Sequence, residues 1–154
     1  MASKPVLIRL AKGCDAGALT ALYRELTGDD AVWVEPARLD ALARGSSTKV
    51  LVAEADGEVA GTAWLGFCED VMFRAQPFAV LENVVVKASR RGQGIGEALL
   101  GEAERLCVQA DCSKMMLLSS ARREAAHRFF QRSGFQGDAK RGFVKYRSKM
   151  GISN

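Results

Sequence analysis

The sequence has one histidine, three prolines and no long apolar run. His127 and the four cysteines, Cys14, Cys68, Cys107 and Cys112, show no CxxC spacing, so no metal site is expected and the thiols read as reduced. No stretch approaches the roughly 18 apolar residues a membrane span needs, and no membrane association is expected. The opening Met1-Ala2-Ser3-Lys4-Pro5 lacks the apolar segment of a secretory signal, which makes the cytoplasm the expected compartment. A strong excess of one charge is missing too: 22 basic against 18 acidic residues leave +4. Lys140, Arg141, Lys145, Arg147 and Lys149 crowd the end of the chain. No nucleic-acid motif accompanies them, and no nucleic-acid partner is expected. What is present is ordinary for a globular protein, with 48% hydrophobic and 26% charged residues. A length of 154 residues suits one domain over 1–154.

Hydrophobic periodicity divides the chain into short elements. VLIRLA (6–11) predicts a strand. Asp15 is placed to cap a helix reaching Thr27, in which Leu19, Leu22, Tyr23 and Leu26 recur at helical spacing. Pro36 suits the first turn of a second helix carrying Leu39 and Leu42. KVLVAEA and EVAGTAWLGF flank Asp56-Gly57, the signature of a hairpin with a type I′ turn. After a loop over 69–77, AVLENVVV (79–86) reads as a central strand, apolar on both faces. Ile95, Leu99, Ala103, Leu106 and Ala110 mark the core face of an amphipathic helix. KMMLLS (114–119) predicts a strand, 122–133 a helix stopped by Gly134, and GFVKYRSK (142–149) a closing strand. The order β-α-α-β-β-β-α-β-α-β is that of an α/β fold, a mixed central sheet flanked by helices.

Between the central strand and the long helix lies SRRGQGIGEALL (89–100). A glycine-rich turn entering a helix presents free N–H groups and the positive end of the helix dipole, which together suit a phosphate. A Walker A loop would need a Lys-Ser/Thr pair that is absent. The dinucleotide pattern GxGxxG meets Glu97 or Leu99 where a small residue is required. The pattern that does fit is Arg91-x-x-Gly94-x-Gly96 directly after a β-branched strand.

In this the chain resembles the GNAT superfamily of acetyl-CoA-dependent N-acetyltransferases, whose hallmark here is Gln/Arg-x-x-Gly-x-Gly/Ala. A second stretch, Ala126-x-x-Phe129-Phe130-x-x-x-Gly134-Phe135, is similar to a later helix of the same family. The resemblance implies a GNAT fold and acetyl-CoA as acyl donor. It assigns the N–H groups of Arg91, Gly92, Gln93, Gly94, Ile95 and Gly96 to the diphosphate. It assigns the main chain of Val84, Val85 and Val86 to the pantetheine arm. Arg123 stands where many relatives place an asparagine that contacts coenzyme A. The resemblance also implies a homodimer joined through the late strand.

Acyl transfer to an amine with a pKa of about 10 needs a base. Glu82, a carboxylate inside VLENVVV, is the candidate, since burying it is costly unless it meets water, a donor or a cation. Simple alternation places Glu82 on the face of Val84 and Val86, with Asn83 opposite. The family's usual acid, a tyrosine, falls on Phe130, which has no proton to give; Tyr146, Tyr23, Cys112 and water remain open. Trp33, Trp64, Phe67, Phe73 and Phe78 are candidates for an acceptor wall, and Asp29, Asp30, Glu35, Glu69 and Asp70 for recognising a cationic amine. The expected acceptor is a primary amine of a small molecule. A protein or peptide amine, or a coenzyme A sensor with weak catalysis, are the alternatives.

Overall fold

The computed structural model describes residues 5–151. The chain forms two compact units, Met1–Leu117 and Leu118–Asn154.

The first unit is a five-stranded sheet in the order β1-β2-β3-β4-β5. Its strands are β1 (Leu7–Leu10), β2 (Thr48–Ala55), β3 (Glu58–Cys68), β4 (Phe78–Val86) and β5 (Met115–Leu117). β1 to β4 run antiparallel, and β5 joins β4 in parallel, so the sheet is mixed as expected. Asp56 and Gly57, with φ of 53° and 81°, make the β2–β3 turn, as a type I′ turn requires.

α1 (Ala16–Thr27) and α2 (Pro36–Arg44) cover one face of the sheet. There Leu19, Leu22 and Leu39 pack with Val50, Val52 and Val85. α3 (Ile95–Gln109) covers the other. Gly61 lets it approach: a Cβ at Gly61 would lie 3.1 Å from both Ile95 Cγ2 and the Val85 carbonyl. A side chain there would require Ile95, Leu99 or the β4 backbone to give way by a few tenths of an ångström.

Asp15 precedes α1 but does not cap it with its side chain. Its carboxylate accepts from Arg9 through Nη1 and Nη2, at 2.8 and 3.0 Å, and from the Lys12 N–H at 2.8 Å. A guanidinium fork in reach outcompetes the helix N–H groups for the same two oxygens. Arg9 also donates to Glu54 on β2 at 3.0 Å, so this pair fastens β1, β2 and the entry to α1.

The second unit holds α4 (Glu124–Arg132), whose Phe130 is buried between Phe129 and Phe135, at ring-centroid distances of 5.4 and 5.9 Å. Gly134 follows with φ of 94°. The closing strand expected over 142–149 does not form. Among the described residues no ladder engages this segment, and Arg147–Lys149 is a single 3-10 turn. An extended segment becomes a strand only when another pairs with its backbone. Phe143 and Tyr146 instead stand 86% and 73% exposed.

Candidate active site

β4 is the organising element of the site, and it is not a regular strand. Thr62 on β3 pairs with Val85, and Trp64 with Glu82, so Asn83 and Val84 together stand opposite Ala63. Asn83 adopts φ of 54°, a conformation asparagine tolerates far better than its β-branched neighbours. This is a β-bulge, and it changes which residues share a face. The alternation expected from the sequence is therefore corrected: Glu82 lies on the face of Trp64 and Val85, toward α1, and not on that of Val86. The extra residue shifts the pleat by one.

Glu82 is half-buried, and burial alone pushes its carboxyl above the ordinary carboxylate range. Among the described residues no hydrogen bond or opposite charge lowers it again. A carboxylate held this way is a stronger base than one in water, the tuning that amine deprotonation calls for.

The other edge of β4 is open where the bulge begins. β5 pairs only with Ala79, Val80 and Leu81, so among the described residues no strand covers that side from Glu82 onward. The backbone of Glu82 to Val86 thus keeps donors and acceptors for an extended ligand, as a sheet edge does for an added strand.

β4 runs through a 3-10 turn, Ala88–Arg90, into the glycine loop. Gly92 and Gly94 take φ of 74° and 78°, and a Cβ on either would meet nothing within 4 Å. The space over the loop is open. Gly94 is the N-cap of α3, and Ile95 and Gly96 are buried at its first turn. Among the described residues, the N–H groups of Gly92, Gln93, Gly94, Ile95 and Gly96 donate to no backbone carbonyl. A 15-residue helix beginning here adds its dipole to those donors. The loop fits a diphosphate, and the uncovered stretch of β4 beside it fits an amide-bearing arm.

The Arg91 N–H, expected to face the diphosphate, donates instead to the Ala88 carbonyl at 3.5 Å, closing the 3-10 turn, so Arg91 brings its side chain and not its N–H. Its Nε lies 3.3 Å from the Val86 carbonyl and its Nη2 3.1 Å from Glu25 Oε1 on α1. The sequence offered no signal for this partner, 66 positions away. Val84 to Val86, Arg91 and the loop are thus brought together in the first unit. Arg123 lies in the second, as the N-cap of α4.

Several candidates are placed elsewhere. Phe67 pairs with Ala79, which turns it to the α3 face. There it lines a groove of about 900 Å³ with Leu106 and Gln109. Trp33 and Phe73 are exposed, and Phe78 packs beneath the Lys114 ammonium, 5.3 Å from its ring centre. Only Trp64 neighbours Glu82 across the ladder. His127 Nε2 is 2.8 Å from the Ser120 carbonyl, an anchor for the start of α4. Among the candidate acids, Tyr23 sits on α1 beside the Thr62 hydroxyl, with burial raising its pKa. Cys112 is also raised by burial, while Tyr146 is exposed.

A model of the acetyltransferase (GNAT) family matches residues 18–135. No curated protein shows significant similarity to the sequence. Among solved structures, an acetyltransferase assigned as such without proof from Agrobacterium tumefaciens is 30% identical, covers 92% of this chain and 99% of its own, and superposes with a TM-score of 0.83. Glucosamine-6-phosphate N-acetyltransferase from Arabidopsis thaliana is 21% identical over 94% of this chain and 99% of its own, with a TM-score of 0.79. An aminoglycoside N-acetyltransferase in complex with coenzyme A is 20% identical over 96% and 97%, with a TM-score of 0.77. The last two show likeness of fold.

Proposed function

This chain belongs to the acetyltransferase (GNAT) family, and from that premise we propose that, as one domain over 1–154, it moves the acetyl group of acetyl-CoA to the primary amine of a small molecule, with Glu82 as general base. The observation that carries this reading is the continuity of the site. The open edge of β4 begins at Glu82 and leads within a few residues into a loop of unpaired N–H groups.

In this mechanism the glycine loop and the first turn of α3 hold the diphosphate, and the backbone of Val84 to Val86 aligns the pantetheine arm. Acetyl-CoA, when bound, supplies an activated thioester carbonyl. Glu82 takes a proton from the ammonium form of the acceptor, and the freed nitrogen lone pair attacks that carbonyl. A backbone N–H at the bulge steadies the oxyanion, a role in which one donor is worth about 3 kcal/mol. The nitrogen then gives up its second proton to water as the C–S bond breaks, and the thiolate takes a proton from water or from Tyr23.

The neighbours that act on amino sugars support a small-molecule acceptor. A peptide amine is the second reading, favoured by the exposed apolar run Val71, Met72 and Phe73 in the loop before β4. The uncovered apolar segment at Phe143, Val144 and Tyr146 supports a homodimer joined through 142–149, which light scattering checks. Among the described residues no helix is long and apolar enough to cross a membrane, and the cytoplasm is the proposed compartment.

The deciding experiment offers acetyl-CoA with a panel of small amines and peptides and follows thiol release. Turnover with small amines is expected. Turnover only with peptides would select the second reading, and tight coenzyme A binding with no turnover would make the chain a sensor.

A further inference from the structure

Three cations flank the glycine loop, and a carboxylate from another element engages each. Lys87 Nζ lies 3.3 Å from Glu58 Oε2, Arg90 Nη1 2.8 Å from Asp56 Oδ2, and Arg91 Nη2 3.1 Å from Glu25 Oε1. The first two bind the loop's approach to the β2–β3 turn. The third is different in kind. One guanidinium joins the end of β4, through the Val86 carbonyl, to α1, through Glu25.

Arg91 opens the phosphate-loop pattern and directly precedes, in the chain, the unpaired donors of Gly92 to Gly96. A guanidinium fork matches a phosphate as well as it matches a carboxylate. It carries one charge, and Glu25 has already claimed it. Both partners face water, with side-chain exposures of 61% and 37%, so the pair is open to exchange rather than locked in the core. The Nε bond to the Val86 carbonyl points the guanidinium the same way whether or not Glu25 holds the other end.

We propose that Glu25 is an internal competitor for the diphosphate: its carboxylate occupies Arg91 in the free protein and is displaced when acyl-CoA binds. Glu25 thereby lowers affinity for the donor and, after transfer, returns to Arg91 and helps expel coenzyme A. This rests on the donor reading given above. It makes Glu25 an affinity-setting residue that touches no reacting atom, and its effect is confined to ligands that carry the diphosphate.

The test is calorimetric titration of wild type, E25Q, R91Q, E25Q/R91Q and E58Q with coenzyme A and with pantetheine, which lacks the phosphates. E25Q is expected to bind coenzyme A about two- to fivefold tighter, the scale of one exposed ion pair. The KM for acetyl-CoA should fall by the same factor. Pantetheine affinity should not change, and the Glu25 effect should vanish in the R91Q background. E58Q removes a negative charge near the same loop without freeing Arg91, and it should leave affinity unchanged. Unchanged or weaker coenzyme A binding by E25Q would overturn the proposal. So would equal tightening by E58Q or toward pantetheine, or tightening that persists without Arg91. Failure of the wild type to bind coenzyme A at all would instead sink the donor reading, and this inference with it.

Discussion

Trp64 and Glu82 are cross-strand partners, which sets Glu82 on the α1 face, and the bulge one residue beyond them returns Val85 to that same face. Had β4 stayed regular through Asn83, Val84 and not Val85 would share the face of Glu82. Burial is the cause of the raised Glu82 pKa. A general base works only when deprotonated, so activity should fall as pH drops through that raised value. The acid limb of the kcat/KM profile is expected above the ordinary carboxylate range. Glu82→Gln should lower kcat about 10²-fold or more and abolish that limb. Folding points the other way. A carboxyl whose pKa rises on folding favours the folded state less as pH climbs, so at neutral pH the Gln variant should melt no lower than wild type. Retained kcat in E82Q, measured beside its thermal melt, would remove Glu82 from the chemistry.

Asn83 holds the bulge with φ of 54°. Glycine adopts that conformation freely, whereas valine is strained there by about 1–2 kcal/mol. Asn83→Gly should therefore keep both stability and the KM for acetyl-CoA. Asn83→Val should lose stability on that scale in urea melts and raise the KM, because a strand relaxed to regular pleat turns Glu82 and Val85 to opposite faces. Equal behaviour of the two variants would mean that the bulge does not depend on this residue.

Much of this architecture is legible in the sequence because periodicity and turn chemistry are local. Asp56-Gly57 specifies its own turn, and the spacing of Ile95, Leu99 and Ala103 specifies the core face of α3. The glycine loop is legible for the same reason, since its open backbone follows from residues adjacent in the chain. The bulge is not, because nothing in VLENVVV separates an Asn at φ of 54° from an Asn in a regular strand until β3 supplies the register. The Glu25–Arg91 pair and the Asp15–Arg9 pair are hidden likewise: a carboxylate before or within a helix has several partners in reach, and only the folded chain chooses one. The segment 142–149 alternates as a strand should, yet a strand needs a neighbour, and alternation does not say whether one is there.

Gly94 separates backbone strain from ligand clash. Its φ of 78° penalises any side chain, but no atom lies within 4 Å of where a Cβ would point. Gly94→Ala should cost about 1–2 kcal/mol of stability from the backbone alone. In the liganded protein the same methyl enters the space assigned to the diphosphate. The KM for acetyl-CoA should therefore rise well beyond what the stability loss explains, with kcat at saturation little changed. Isothermal titration with coenzyme A beside a denaturant melt separates the two. A melt shift with unaltered affinity would place the diphosphate elsewhere.

The Asp15–Arg9 pair governs acid stability. Asp15 is buried, and its bonds to the Arg9 guanidinium, aided by the Lys12 N–H, hold its carboxyl below the ordinary range. The folded state thus binds the Asp15 proton less readily than the unfolded chain does. Its contribution is full at neutral pH, begins to fade near the ordinary carboxylate pKa of about 4, and is lost as pH falls through the depressed folded value. Asp15→Asn leaves Arg9, among the described residues, with Glu54 as its one acidic partner and should cost about 2–3 kcal/mol at pH 7. That is less than a fully buried pair would, because Arg9 keeps some contact with water. The difference between variant and wild type should shrink steadily in melts taken from pH 5 down to pH 2. A penalty that stays constant over that range would mean that packing around Asp15, and not its charge, holds β1 to the entry of α1.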